Sequence, residues 1–270
     1  MGNFKLFNEL HHKDEPLLIG NVWDAGSAKV FERHNYKAVA TSSAAVALSH
    51  GYKDGEQMPF ELLLSTVKRI IAAVTIPVSV DMEAGYGDSS KKIIENIKQL
   101  YDAGAVGINI EDCIIEKGNE LKSLDESQKT ISDIANYLRK ANIEMFINAR
   151  TDGYLMQLPD AFNETILRSK AYENAGANGI FVPCLIDGKE IKQIVQNIKL
   201  PVNVMCMPNL PSFAELKDLG IKRISMASFV YMSMTKYLET TIQKIKFSGS
   251  FTGLFSESVT EGLKLSDLRR

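Results

Sequence analysis

Short apolar runs rich in Val and Ile recur along the chain, and each is followed by a stretch in which apolar residues return at helical spacing. Eight such runs stand out: "LLIGNVWD" (17–24), "AVATSS" (38–43), "PVSVDME" (77–83), "GINIED" (107–112), "MFINART" (145–151), "GIFVPC" (179–184), "PVNVMC" (201–206) and "RISMAS" (223–228). Apolar strands bounded by Gly and Pro are typical of a parallel sheet covered by helices. The pattern therefore predicts eight strand–helix units.

Eight such units favour an α/β fold of the (β/α)8 TIM barrel type, which takes about 250 residues in one domain. A doubly wound open sheet is the alternative, but no G-x-G-x-x-G follows any of the strands. Two joints, "DAGAVGINIED" and "ENAGANGIFVPC", end a helix at Ala-Gly, which suits a left-handed helix terminus. We expect one barrel domain over residues 1–270 with a C-terminal helical extension at about 229–270, including helical segments at 229–246 and 255–268.

Composition limits the kinds of molecule that the protein is expected to bind. The chain has 270 residues and a net charge of −2, so it lacks the basic surplus that nucleic-acid binding needs. The three cysteines form no C-x-x-C pair, which favours reduced thiols in the cytoplasm. The first 16 residues contain no long apolar stretch and predict a short amphipathic helix. We expect a cytoplasmic protein that binds neither nucleic acid nor membrane.

Polar residues recur at the carboxyl ends of three consecutive strands, in pairs two positions apart. The pairs are Asp81 with Glu83, Asn109 with Glu111, and Asn148 with Arg150. Residues at i and i+2 of a strand share a face, and barrel enzymes place their chemistry at this end of the strands. Two further strands add Asn21 with Trp23, and Ser42 with Ser43.

Asp81, Glu83 and Glu111 are candidate metal ligands. Three carboxylates at one barrel mouth would repel each other, and a hard divalent cation relieves that repulsion. Mg²⁺ prefers oxygen ligands and usually takes one or two protein carboxylates directly. The alternative is a set of solvated acids at strand ends. We expect Mg²⁺ here, with Mn²⁺ as a substitute.

Three other features suggest ligand contacts, and each has a structural alternative. Arg150 offers a fork for a carboxylate or phosphonate, or an internal ion pair with Glu111 or Asp112, and both readings can hold together. The stretch "TSSAA" offers hydroxyls and amides to an anionic oxygen, or simply packs under a helix. Gly85 and Gly87 let a ligand approach the backbone, or form a plain turn.

Some sites are disfavoured. The four histidines avoid the strand ends, which argues against a Ser-His-Asp triad or a His-ligated zinc. No phosphate-binding G-x-x-x-x-G-K-[ST] motif occurs, and the loops after strands seven and eight, "MPNLPS" and "MASF", lack glycine. These absences weaken phosphate esters as substrates.

In order along the chain, "NVWDAGSAKVFE", "ATSSAAVALSHGYKDGE", "VDMEAGYGD", "GINIED", "INARTD" and "GIFVPC" resemble the isocitrate lyase / phosphoenolpyruvate mutase superfamily over roughly residues 15–230. The resemblance implies a Mg²⁺-dependent barrel that acts on small 2-oxo or 2-hydroxy carboxylates. It implies that a C–C or P–C bond is made or broken through a pyruvate-type enolate held on the metal, which agrees with the chemistry of such ions.

The resemblance also assigns roles to residues. Asp81 would be the principal metal ligand, and Glu83 and Glu111 would hold metal-bound waters. Arg150 would bind the departing or migrating group, and Ser42 with the amides of Ser43 and Ala44 would hold a substrate oxygen. The expected catalytic residues are Asp54, Arg150, Lys117 and Asn119. The expected substrate-binding residues are Trp23, Ser42, Ser43, Ala44, Gly85, Tyr86 and Arg150.

The loop "EDCIIEKGNELKS" departs from both branches of the superfamily. Isocitrate and methylisocitrate lyases carry an acid/base cysteine there, whereas Lys117 is followed by Gly118 and Asn119, and Cys113 is interpreted as a packing residue. Phosphoenolpyruvate mutases carry a Lys-x-Asn-Ser-Leu gating loop, and "KGNEL" matches it except at Glu120. The mutases also carry a histidine after strand six, where this chain has Val182-Pro183-Cys184. Residues 113–124 are expected to form a mobile lid, with a solvated loop as the alternative.

The leading functional prediction is a C–C lyase for a small 2-oxo or 2-hydroxy carboxylate. The alternatives are P–C chemistry, as a phosphonomutase or phosphonopyruvate hydrolase, and a barrel that binds a carboxylate without catalysis. The resemblance further implies that the eighth helix is exchanged between subunits, giving a homo-oligomer in which dimers pair into tetramers. The apolar stripe along residues 229–246 agrees with such an exchange.

Overall fold

The structure is a computed structural model that describes residues 2–114 and 120–255. The chain divides into two compact units, Met1–Ser228 and Phe229–Arg270. None of the helices in the described ranges is both long and apolar enough to cross a membrane.

The first unit is built around short strands. They are β1 (Leu17–Leu18), β2 (Gly20–Val22), β3 (Val39–Thr41), β4 (Val78–Asp81), β5 (Gly107–Glu111), β6 (Cys113–Ile114), β7 (Glu120–Leu121), β8 (Phe146–Arg150), β9 (Gly179–Phe181), β10 (Val202–Met205) and β11 (Arg223–Ser225). Nine of them form one sheet in the order β1-β11-β10-β9-β8-β5-β4-β3-β2, and its strand pairs are parallel. The strands β6 and β7 pair separately as an antiparallel hairpin.

The sheet closes on itself through residues 17–22. The strand β1 pairs with β11, β2 pairs with β3, and Ile19 alone separates β1 from β2. These two pieces therefore act as one barrel strand, which gives the eight strands that the sequence predicts. The (β/α)8 barrel is confirmed, and an open doubly wound sheet is excluded.

Helices alternate with the strands as predicted. Those of the first unit are α1 (Asn3–Leu10), α2 (Ala25–Arg33), α3 (Ser43–Ser49), α4 (Phe60–Ala73), α5 (Ser90–Ala103), α6 (Leu124–Lys140), α7 (Ala161–Ala175), α8 (Gly188–Asn197) and α9 (Phe213–Asp218). The two Ala-Gly joints end α5 and α7 in the left-handed conformation, with φ of 103° at Gly104 and 101° at Gly176.

Two local elements differ from the predicted pattern. Residues 43–49 form α3, a short helix in addition to the eight predicted units, and the Ser42 hydroxyl caps it by accepting the Ala45 amide at 3.4 Å. The loop after β5 contains the β6–β7 hairpin. Lys117 and Asn119, two of the expected catalytic residues, lie outside the described residues.

The interior of the barrel is apolar near α1 and polar near its middle. Phe7 of α1 is fully buried, and its ring meets Phe146 edge-on at 5.6 Å between centroids. Further along the barrel, the Asn148 amide donates to the side-chain oxygens of Asn109 and Asn203 at 2.9 and 3.2 Å. Helix α1 therefore adds apolar residues to the barrel core. The hydrogen-bonded asparagine side chains lie further along the strands, toward the ends that carry the acids.

The second unit contains α10 (Phe229–Ser248) and a 3-10 turn at Thr252–Leu254. No residue of α10 is buried in the single chain, and Tyr237 and Leu238 are 67% and 54% exposed. The expected helical segment at 255–268 lies, apart from Phe255, outside the described residues. Exchange of α10 between subunits stays a prediction.

Candidate active site

The carboxyl ends of β4, β5 and β8 bring acidic side chains and one arginine to the same rim of the barrel. The strand register places Glu111 directly opposite Arg150. A cavity of about 250 Å³ opens at this rim. It is lined by Ser43, Asp54, Gly55, Glu83, Glu111, Cys113, Ile114, Arg150, Asp152, Leu155 and Met156.

Asp81 ends β4 in a buried position, with 9% of its surface exposed. Its amide donates to the Thr41 hydroxyl at 2.8 Å, which fixes the backbone. Its carboxylate receives the Ser43 amide at 3.5 Å, which is its one hydrogen bond within residues 2–114 and 120–255. Asp81 therefore retains lone pairs that a cation can use.

Glu83 is held on both of its carboxylate oxygens. One oxygen accepts the amides of Gly55 and Glu56, both at 2.7 Å, and the other accepts the Tyr86 hydroxyl at 2.7 Å. Burial raises the pKa of Glu83 to about 7, and the nearby charges of Asp54 and Asp81 act in the same direction. A carboxylate fixed in this way suits the orientation of a water molecule better than direct coordination of a metal.

Arg150 links two carboxylates. One terminal nitrogen contacts Glu111 at 2.6 Å, while Nε and the other terminal nitrogen bind Asp152 at 2.6 and 2.9 Å. Of the two expected ion-pair partners, Glu111 or Asp112, the structure shows Glu111. Asp112 accepts the Tyr172 hydroxyl at 2.6 Å and contacts Arg168 at 3.3 Å. Successive residues of a strand point to opposite faces, which separates Asp112 from Glu111.

Cys113 does more than pack, so its interpretation as a packing residue is wrong. Its thiol donates to Glu111 at 2.6 Å and lines the cavity. Burial raises the pKa of the Cys113 thiol, and the Glu111 charge raises it further, so the thiol keeps its proton. Glu111 is therefore held by Arg150 on one oxygen and by this thiol on the other.

Asp54 lines the cavity and is open to solvent. Desolvation by surrounding atoms raises the pKa of the Asp54 carboxyl, and the charge of Asp81 raises it further. Asp54 thus lies close enough to Asp81 for the two charges to interact, as its expected role requires.

Two groups of side chains compete as the metal site. The ligand atoms of Glu111, Cys113 and Asp152 lie within 4.8 Å of one another. Arg150 already neutralises this group through three short contacts, and a protonated thiol is a poor ligand. Among the described residues, by contrast, no lysine or arginine forms an ion pair with Asp81, whose charge raises the pKa values of its acidic neighbours. The oxygen donors around Asp81 therefore fit Mg²⁺ or Mn²⁺ better.

The expected substrate-binding residues divide into two groups. Ser43 and Arg150 line the cavity, whereas Trp23, Ser42, Ala44, Gly85 and Tyr86 do not border it in the described structure. The hydroxyl of Ser42 is used as the cap of α3, and the hydroxyl of Tyr86 is used on Glu83. Gly85 has a structural reason of its own, because its φ is 115° and a Cβ there would meet Ile93 at 2.7 Å.

The pKa of Glu83 makes stability depend on pH. Its pKa is near 4.5 when exposed and about 7 in the fold, so the folded state binds the extra proton between these values. In metal-free protein, its contribution to the unfolding free energy should fall as pH rises from about 4.5 to about 7, by on the order of 3 kcal/mol. Urea unfolding in EDTA at pH 5 and pH 8 measures this change. The difference between wild type and Glu83→Gln isolates it, and a difference that is the same at both pH values contradicts the prediction.

A closed parallel barrel with acids, one arginine and a cavity at the carboxyl ends of its strands has the arrangement of a barrel enzyme. The chain belongs to the phosphoenolpyruvate phosphomutase family, whose family model matches residues 7–246. The resemblance to the isocitrate lyase / phosphoenolpyruvate mutase superfamily is thereby confirmed.

Individual relatives cover most of the chain. An uncharacterised protein of Mycobacterium tuberculosis is 34% identical over 225 residues, which are 83% of each chain. The 2-methylisocitrate lyase of Escherichia coli is 28% identical, over 91% of this chain and 85% of its own. The crystal structure of a candidate phosphonomutase from Burkholderia cenocepacia is 38% identical with a TM-score of 0.85, over 89% of this chain and 99% of its own. A lyase and a candidate phosphonomutase are thus both among the relatives.

Proposed function

We propose that the protein is a Mg²⁺-dependent lyase that cleaves a C–C bond of a small 2-oxo or 2-hydroxy carboxylate through a pyruvate-type enolate. The observation that carries the proposal is the Asp81 carboxylate, which is buried at the barrel rim and has lone pairs to spare. Glu83 and Glu111, each fixed by hydrogen bonds or an ion pair, would orient waters around the cation. The 2-methylisocitrate lyase of Escherichia coli, which is 28% identical to this chain, supports a reaction of this class.

The residues at this end of the barrel would have separate tasks. Mg²⁺ bound at Asp81 would supply positive charge where the substrate develops negative charge. The Ser43 amide points at Asp81 and would help to orient a substrate oxygen beside it. Asp54, exposed and with a raised pKa, is placed to hold or release a proton at its carboxylate. Arg150 would orient the departing fragment.

The charge around Arg150 favours C–C over P–C cleavage. Its single positive charge is already engaged by Glu111 and Asp152, so little of it is left for an incoming anion. A phosphonate carries more negative charge than a carboxylate and would need more of that compensation. Ile114, Leu155 and Met156 line the same cavity and add apolar surface that a phosphonate would not use. An uncharged or singly charged departing fragment fits this wall better.

P–C chemistry remains the second candidate because the candidate phosphonomutase from Burkholderia cenocepacia is 38% identical over 89% of this chain. One panel of candidate substrates distinguishes C–C cleavage from P–C cleavage. Candidate oxo-acids, hydroxy-acids and phosphonopyruvate are incubated with Mg²⁺, and pyruvate-type products and phosphate are measured separately. The lyase proposal predicts carbonyl products without phosphate, suppressed by EDTA. Phosphate release or phosphonate rearrangement would establish P–C chemistry, and tight oxalate binding without any turnover would indicate a carboxylate-binding barrel.

We also propose that the protein is a homo-oligomer, a dimer of helix-exchanged dimers in which α10 packs on a second copy. The support is the exposed apolar surface of α10, where Met234, Tyr237, Leu238 and Ile242 are each at least 47% exposed in the single chain. Such surface is unfavourable in water and marks an interface. Light scattering at micromolar concentration should give a mass near four times 30.0 kDa. A monodisperse monomer would contradict the exchange, and Tyr237→Glu should reduce the mass where the control Thr240→Glu does so less.

A further inference from the structure

Two loops from different strand–helix units are joined by carboxylates that accept each other's backbone amides. The acid loop (residues 50–59) joins α3 to α4, and the glycine loop (residues 82–89) joins β4 to α5. The Glu83 carboxylate of the glycine loop accepts the amides of Gly55 and Glu56. In return, the Glu56 carboxylate accepts the Tyr86 amide at 2.6 Å. Each loop therefore has a carboxylate that accepts a backbone amide of the other loop.

The backbone at these contacts adopts conformations that side chains disfavour. Glu56, Glu83 and Tyr86 have φ values of 53°, 51° and 56°. Each non-glycine residue in the left-handed region costs roughly 1–2 kcal/mol, and such residues persist where surrounding contacts hold them. The two carboxylates hold two of these residues, since they accept the amide of Glu56 and that of Tyr86.

The glycine loop is held from its other side as well. The fully buried Asn96 amide donates to the carbonyls of Gly85 and Tyr86 at 3.1 and 2.8 Å. The Tyr86 amide thus points toward Glu56, while the Gly85 and Tyr86 carbonyls point toward α5. The glycine loop is therefore fixed to α5. The acid loop has exposed residues at 51–54, and Glu56 fastens it to the glycine loop.

We propose that Glu56 is a positioning residue that sets the distance between Asp54 and Glu83. Asp54 lies two residues before Glu56, and both Asp54 and Glu83 line the cavity. The strands do not carry Asp54, so its position depends on how the acid loop is fastened to the glycine loop. This role rests on the proposed function, because positioning matters only if these acids take part in binding or turnover.

Glu56→Ala removes the acceptor for the Tyr86 amide, and Glu56→Gln keeps one oxygen acceptor but loses the charge. The matched control is Gln57→Ala, because the exposed Gln57 side chain donates to the Gly55 carbonyl of its own loop, at 3.2 Å. In Glu56→Ala we expect hydrogen exchange of peptides covering 84–87 to accelerate at least about tenfold, as for a lost amide contact worth more than 1.4 kcal/mol. Mg²⁺-dependent oxalate affinity and kcat should fall by about 10- to 100-fold, as for loss of an outer partner of a metal site. Glu56→Gln should recover part of each loss, while Gln57→Ala should match wild type.

The readouts separate the two proposals. Unchanged hydrogen exchange of residues 84–87 in Glu56→Ala would show that the Glu56 carboxylate does not hold the glycine loop. Faster exchange with wild-type oxalate affinity and wild-type kcat overturns the positioning role and leaves Glu56 a purely structural residue. If wild-type protein binds oxalate with Mg²⁺ but cleaves no member of the panel, a loss of oxalate affinity in Glu56→Ala still supports the positioning role while the lyase reaction fails.

Discussion

Asp81→Ala is expected to weaken Mg²⁺ binding by at least about 100-fold and to abolish turnover of any substrate found for the wild type. The loss of an outer partner of a metal site already costs about 10–100-fold in affinity. The loss of the principal carboxylate ligand should cost more. The Asp81 carboxylate has one weak hydrogen bond within the described ranges, so its removal leaves no strong partner unpaired and should leave the fold intact. Calorimetric titration with Mg²⁺ measures the affinity directly.

Asp88→Ala is the matched control, because Asp88 is an exposed acid in the loop that follows the same strand. It removes one negative charge near the site and should change Mg²⁺ affinity little. Equal affinities in Asp81→Ala and wild type would remove Asp81 from the metal site. Similar losses in both variants would show that general charge, and not coordination, attracts the cation.

Arg150→Met should produce the second large effect, on stability and activity together. The change leaves Glu111 and Asp152 buried without their shared cation, with 8% and 1% of their side chains exposed. Breaking a buried ion pair on one side costs about 3–5 kcal/mol. We therefore expect a loss of this size in unfolding free energy by urea denaturation, and a fall in kcat/KM of at least about 100-fold from misplaced substrate.

Two comparisons sharpen the test of Arg150. Arg150→Lys keeps the charge but cannot reproduce the fork to Asp152, so it should recover stability more than activity. Arg69→Met removes an exposed arginine from α4 and should change neither quantity by much. In Arg150→Met the Glu111, Cys113 and Asp152 side chains lose their competing cation and should bind Zn²⁺ more tightly than in wild type. Wild-type stability in Arg150→Met would show that its ion pairs are not needed by the fold.

Most of the fold could be predicted because its signal is local. The Val- and Ile-rich runs, the glycine helix ends and the short joints are each readable within a few residues, and all eight strands follow from them. Helix α3 was missed because its seven residues, "SAAVALS", are too few to show a helical period. The β6–β7 hairpin was missed for the same reason, since its strands have two residues each.

The acids on strands could be found from the rule that residues at i and i+2 share a face. Asp152 carries the same signal, two residues after Arg150 in "ARTD", but it lies just beyond the strand and was overlooked. Glu56 could not be found, because its partner amides lie about thirty residues away in a different loop. Loop-to-loop contacts depend on the closed barrel and leave no local pattern.

Oxalate resembles a pyruvate enolate, and calorimetric titration with oxalate shows whether such a ligand binds through a metal ion held by Asp81. Wild type, Asp81→Ala and Asp88→Ala are titrated with oxalate in the presence of Mg²⁺ and again in EDTA. We expect binding to wild type and to Asp88→Ala with Mg²⁺, no measurable binding in EDTA, and at least about 100-fold weaker binding to Asp81→Ala with Mg²⁺. Equal oxalate affinity in Mg²⁺ and in EDTA, or unchanged affinity in Asp81→Ala, would contradict a metal-centred site at the end of β4.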